Sequence, residues 1–195
     1  MEKKRIFAAI DISDDARLRV ASYMRSLKQK FASVPVRWEK PEKLHITLKF
    51  VGRIDERQLA SFANRVAAAA SETVPFGITV ANSGAFIKRS GRANVLWLGL
   101  TSISPNGSEK MIERLAAAID HEEGYSEKRQ FNPHLTIARI KDAQNARDLI
   151  EFHLNSTFEP VTFNVGEITI YESTLLLSGS IYQALSRHKL GAAVR

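Results

Sequence analysis

The chain contains no cysteine. Disulfides, thiolate metal sites and cysteine nucleophiles are therefore excluded, and the absence fits a reducing cytoplasm. No apolar run approaches the length of a membrane span. The stretch from Ile6 to Ile10 follows a charged start, but it is too short for a signal-peptide core and is broken by Asp11 and Asp14. A soluble, cytoplasmic protein without membrane contact is expected. The metal-binding spacings His-x-His and His-Glu-x-x-His are missing, and no carboxylate companions for the histidines are evident. No dense lysine/arginine block stands out, which argues against a disordered nucleic-acid-binding arm. What is present is a formal net charge of +7 over 195 residues, 44% hydrophobic and 25% charged, with a pI near 9.8. That is ample material for a core. The charge favours a polyanionic partner; equally, it describes a basic surface that confers only solubility.

The most informative pattern is His-x-Thr, which occurs twice, each time in a β-type segment: Leu44-His45-Ile46-Thr47-Leu48-Lys49-Phe50 and Pro133-His134-Leu135-Thr136-Ile137-Ala138-Arg139. A strand has a period of two, so His45 and Thr47 share a face, as do His134 and Thr136. Leu44, Ile46, Leu48 and Phe50 should line the opposite face. Two imidazoles can provide one acid and one base near neutral pH, and two hydroxyls beside them can hold an anion. That is the equipment of phosphodiester chemistry without a metal. A single histidine in a strand is more often structural; two matched histidines with matched threonines reverse that reading.

The flanking elements repeat as well. Residues 5–12 read as a strand, 14–31 as a helix capped by Ser13, 56–72 as an alanine-rich helix capped by Asp55, and 76–80 as a strand. The order restarts with a strand at 95–100, a helix opened by Pro105-Asn106-Gly107-Ser108 and running to about Glu122, the second His-x-Thr strand, a helix at about 143–154, and a strand from 161 that continues to Tyr171. Residues 181–187 add a closing strand. His45 precedes Phe76 by 31 residues and His134 precedes Phe163 by 29. Similar frames imply an internal duplication, approximately 5–82 and 94–171, within one domain spanning 1–195. Two α/β lobes related by a pseudo-twofold axis should bring the two His-x-Thr faces together across a cleft.

At these motifs the sequence resembles a known family. WEKPEKLHITLKFVG (Trp38–Gly52), the opening RIFAAIDI, the second motif FNPHLTIAR and the closing YESTLLLSGSIYQAL look like the RNA 2′,3′-cyclic phosphodiesterases of bacteria and archaea, also called 2′-5′ RNA ligases, of the 2H phosphoesterase superfamily. The resemblance covers nearly the whole chain. It implies a bilobal α/β (α+β) fold with antiparallel sheets, flanked by helices, around a central cleft. It implies opening of a ribose 2′,3′-cyclic phosphate to a 2′-phosphate, with His45 and His134 catalytic. Thr47, Thr136 and Arg139 would bind phosphate, and Phe7 would meet the nucleobase. No metal or cofactor is expected. The expected partner is RNA with 2′,3′-cyclic phosphate ends, tRNA fragments being one candidate, and the expected state is a monomer.

The chemistry of ring opening assigns roles. A neutral imidazole takes the proton of the attacking water, and an imidazolium protonates the leaving 3′-oxygen. His45 is read as the acid and His134 as the base. Threonine hydroxyls and a cation meet the charge on the phosphoryl oxygens. Strict alternation turns Arg139 away from His134, unless a bulge near Ala138 redirects it; Lys49 is the rival cation on the His45 face. Two other readings stand beside hydrolysis: 2′-5′ RNA ligation, in which a ribose 5′-hydroxyl replaces water, and a non-catalytic RNA- or nucleotide-binding module. His121, His153 and His188 are read as surface or structural, Trp97 as core, Trp38 as cleft wall, and Lys88, Arg89 and Arg92 as a solvated loop.

Overall fold

The computed structural model describes residues 3–87, 93–101, 108–120, 131–176 and 179–191. His121, the three loop cations at 88, 89 and 92, and the expected start of the third helix at 105–107 lie outside these residues. Among the described residues the order is β1 (Lys4–Asp11), α1 (Asp14–Lys30), β2 (Val36–Trp38), a 3₁₀ turn (Pro41–Lys43), β3 (His45–Ile54), α2 (Glu56–Ser71), β4 (Phe76–Ile87), β5 (Ala93–Thr101), α3 (Ser108–Asp120), β6 (His134–Ile140), α4 (Arg147–Asn155), β7 (Val161–Val165), β8 (Glu167–Leu176) and β9 (Gly179–Lys189).

The helices begin where their capping chemistry allows. Ser13 accepts a hydrogen bond from the Ala16 amide at 3.2 Å, with Asp14 and Asp15 in the first turn and Lys28 and Lys30 in the last. Asp55 and Gln58 close a reciprocal capping box on α2. α4 starts later than 143 because Asp142 spends its carboxylate on the Gln144 and Asn145 amides, a turn that precedes the helix.

The strands form one antiparallel sheet in the order β7-β4-β5-β6-β3-β1-β8-β9, with β2 pairing β6. The His-x-Thr strands β3 and β6 are its central neighbours. They share one registered pair, Ile46 opposite Leu135, so the sheet is two halves joined at a narrow seam. The chain does not give each half its own strands. β4 leaves the first half of the sequence to pair β5 and β7, and β8 leaves the second half to pair β1. The stretch 161–171, expected as one strand, divides at Gly166 into β7, an edge strand of one half, and β8, which lies between β1 and β9 in the other.

One face of the sheet is apolar and covered. Leu44, Ile46, Leu48, Leu135 and Ile137 are buried in a single core with Val20, Met24 and Leu27 of α1, Phe62 and Val66 of α2 and Ile112 and Leu115 of α3. The helices therefore cover one side of the central strands, and the side carrying the histidines and threonines stays open as a cleft. No helix among the described residues is long and apolar enough to cross a membrane.

Candidate active site

The open face is a cleft of about 430 Å³, within the range of small-ligand sites. His45, Thr47, His134, Thr136, Arg139 and Phe7 all line it. The structure thus brings together these six residues, and leaves out Lys49, the rival cation.

Both imidazoles are held by the same device. His45 Nδ1–H donates to the Lys43 carbonyl at 2.6 Å, and His134 Nδ1–H donates to the Asn132 carbonyl at 2.7 Å. In each case the acceptor lies two residues before the histidine. A carbonyl only accepts, so each bond places the proton on Nδ1 and leaves Nε2 for chemistry. His45 Nε2 lies 3.1 Å from the Thr47 hydroxyl. Burial pushes both histidines below the ordinary imidazole value. Their surroundings then differ. The carboxylates of Asp11 and Glu39 favour the charged form of His45; Arg139 opposes it at both rings, and among the described residues His134 has no carboxylate acting on it.

Arg139 reaches the cleft because β6 is bulged. Against β5, Thr136 pairs Trp97 and Ala138 pairs Leu96, leaving Ile137 as the extra residue. Ile137 and Ala138 are both buried and Arg139 emerges on the His134 side. Its Nε donates to Glu39 Oε1 at 3.2 Å. β3 does the same. Leu48 is the extra residue between the Ala8–Lys49 and Ala9–Thr47 pairs. This corrects two readings based on strict alternation. Phe50 does not join Leu44, Ile46 and Leu48 in the core: it is 47% exposed and lines the cleft, with the Arg5 guanidinium 4.6 Å above its ring. Lys49 is outside the cleft lining and is paired with Asp120 of α3. Phe50 and Arg139 are each five residues beyond their histidine, and they are the two positions a one-residue bulge restores to the histidine face.

Phe7 is 3% exposed. Tyr171 stacks on it at 5.3 Å, and the rings of His45 and Tyr182 each lie 5.0 Å away. It is a floor beneath His45 and offers the cleft only a small surface. On the other side, Phe86 meets the His134 ring edge-on at 4.6 Å, and Trp97 lies 6.4 Å away.

The sequence reading missed Arg5, Arg37, Glu39, Lys40, Lys43, Phe50 and Tyr182, all of which line the cleft. Arg37 and Lys40 have no carboxylate partner among the described residues, and Lys43 donates to the Ser180 carbonyl. The basic excess of the chain is therefore in part directed into this cleft. Trp38 is cleft wall, as expected. Trp97 is not a plain core residue: it packs beside His134. His153 is structural but not on the surface. It is 0% exposed, with Nδ1 2.9 Å from the Tyr23 hydroxyl and Nε2 3.2 Å from the Gly84 and Trp97 carbonyls. Among the described residues no group of three or more histidine, aspartate or glutamate side chains could hold a metal ion.

A sheet whose two central strands each carry a His-x-Thr pair, facing one basic cleft from both halves, defines a two-histidine α/β protein of bilobal build. The chain belongs to the 2′-5′ RNA ligase superfamily, whose family model matches residues 18–175. It is 31% identical to an RNA 2′,3′-cyclic phosphodiesterase of Thermotoga maritima, over 93% of this chain and 92% of that protein. It is 30% identical to the protein of the same name from Methanothermobacter thermautotrophicus, over 96% of this chain and all of that one. The crystal structure of TT0787 from Thermus thermophilus has the same fold, with a TM-score of 0.74 at 20% identity, covering 97% of this chain and all of that one.

Proposed function

We propose that the protein hydrolyses RNA 2′,3′-cyclic phosphate ends to 2′-phosphomonoesters by paired-histidine acid–base catalysis that needs no metal. The observation that carries this reading is the matched pair of imidazoles. Each has Nδ1 tied to a backbone carbonyl, and both line one cleft beside a threonine hydroxyl. The names of the relatives agree with it: those from Thermotoga maritima and Methanothermobacter thermautotrophicus are RNA 2′,3′-cyclic phosphodiesterases.

In the proposed reaction His134, neutral at Nε2, removes a proton from water as its oxygen attacks phosphorus. The bond from phosphorus to the ribose 3′-oxygen breaks, and His45 delivers its Nε2 proton to that oxygen. The 2′-oxygen keeps the phosphate. Asp11 and Glu39 near His45, and Arg139 near both rings, favour this assignment over the reverse, because the imidazolium is better supported at His45. Thr47, Thr136 and the Nη groups of Arg139 meet the charge growing on the phosphoryl oxygens. Acid, base and oxyanion donors are then all supplied by side chains, which is why the reaction is proposed to run without a metal. Phe50, exposed beneath Arg5, offers the nucleobase a broad ring surface, with Phe7 adding an edge from the floor. RNA ends such as those of tRNA fragments fit the basic lining. A cleft formed by one chain fits a monomer, and RNA as substrate fits the cytoplasm.

The test is incubation of the purified protein, in excess chelator, with an RNA oligonucleotide ending in a 2′,3′-cyclic phosphate, followed by identification of the product. Conversion to the 2′-phosphate alone is expected. Tight binding of the RNA with no conversion at any pH would overturn the reading in favour of a recognition module.

A further inference from the structure

Glu39 is the one carboxylate among the described residues lining a cleft that also carries Arg5, Arg37, Lys40, Lys43 and Arg139. A negative charge is out of place in a site that must attract phosphate, so its presence needs an account. It is not a solvated surface group. Its side chain is 20% exposed. Its backbone amide donates to the Ile137 carbonyl at 2.9 Å, which fixes it beside the β6 bulge. Its carboxylate accepts from Arg139 Nε. It also stands close enough to His45 and Tyr182 to act on the charge of each.

Substrate and product of the proposed reaction differ in charge. A cyclic phosphodiester is a monoanion. The phosphomonoester formed from it has a second ionisation near pH 6 and is mostly a dianion at neutral pH. A purely cationic cleft would therefore hold product more tightly than substrate and stall after each turnover. A fixed carboxylate repels both ligands, but it repels the dianion about twice as strongly at the same distance. It also occupies the Nε–H of Arg139, so that the guanidinium cannot offer that donor to a third phosphate oxygen.

We propose that Glu39 sets the preference of the cleft for phosphodiester over phosphomonoester, and so speeds release of the product. The inference rests on the function proposed above. Glu39 acts through charge and through Arg139; it is a specificity-determining residue and takes no proton in the reaction.

The experiment measures dissociation constants for a 2′,3′-cyclic mononucleotide and the matching 2′-monophosphate by calorimetry. It uses His134→Ala protein, in which turnover of the cyclic ligand is expected to be slower by about two or more orders of magnitude, with Glu39 intact or carrying Glu39→Gln or Glu39→Asp. At pH 8, Glu39→Gln is expected to shift the ratio of affinities toward the monophosphate by about fivefold or more. At pH 5, where the monophosphate is mostly a monoanion, the shift should shrink toward none. Glu39→Asp, which keeps the charge, should stay near the parent ratio. Equal weakening of both ligands by Glu39→Gln would show that Glu39 merely anchors Arg139 and would overturn the proposal, as would an unchanged ratio at pH 8. Because these are binding measurements, failure of the wild-type protein to open the cyclic phosphate would count against the proposed reaction alone.

Discussion

At the scale of single residues, the two histidines are alike in how they are held and unlike in what surrounds them. That each histidine shares a strand face with a threonine was legible as soon as His-x-Thr appeared twice; the bond to a carbonyl two residues back was not, because Lys43 and Asn132 lie before the strands begin. The difference was not legible, because it is set by strand pairing, which brings Asp11 against His45 and carries Glu39 in behind β2 where that strand pairs β6. Asp11 sits opposite His45 in the β1–β3 ladder, where it accepts from Tyr171 at 2.7 Å and Thr169 at 3.0 Å. Glu39 reaches the cleft through β2. This environment makes a prediction about pH. Burial lowers both histidines below their ordinary value of 6.5, and the acid must be protonated to act. Activity is therefore lost as pH rises through a value below 6.5, and the kcat/KM profile of the free enzyme should be bell-shaped with its optimum on the acid side of 6.5. A pH–rate series with a small cyclic nucleotide reads this directly; an optimum well above 7 would contradict it.

At the scale of elements, the largest departure from the sequence pattern is the pair of bulges in β3 and β6. Alternation reads correctly up to Leu48 and Ile137 and fails at the next residue, because Leu48 and Ile137 each have no partner in the neighbouring strand. Nothing in the composition of HITLKF or HLTIAR marks the extra residue. Both bulges are set by pairing with a neighbouring strand, which local sequence does not encode. The same is true of the exchange of β4 and β8 between the halves. The starts of α1 and α2 were legible, since caps are local chemistry, whereas that of α4 was misread because Asp142 holds a turn instead of capping the helix. One support of the site also belongs to this scale. Gly84 of β4 faces Trp97 of β5, and a Cβ there would fall 2.2 Å from the indole ring. The same Gly84 and Trp97 carbonyls are held by buried His153, and Trp97 packs beside His134. Gly84→Ala must therefore displace the indole, at a cost of about 1–3 kcal/mol for overpacking. Thermal unfolding should show the loss of stability, and turnover should fall with it. A variant as stable and as active as the parent would contradict this packing.

At the scale of the whole molecule, the fold is a device for bringing two equivalent strand faces to one seam. Helices cover the apolar side of the sheet, the polar side stays open, and each half delivers one histidine, one threonine and one residue restored by a bulge. The basic lining gathers at the mouth so formed, which is where the positive net charge of the sequence takes on meaning. The central claim is that His45 and His134 work as one acid–base pair across that seam. The most direct measurement is kcat/KM for an RNA 2′,3′-cyclic phosphate end with the wild type, His45→Ala, His134→Ala and the double variant. Each single variant should lose about two or more orders of magnitude, and the double variant should lose little beyond the worse single one, since groups acting as a unit are not additive. Full activity in either single variant would contradict the account.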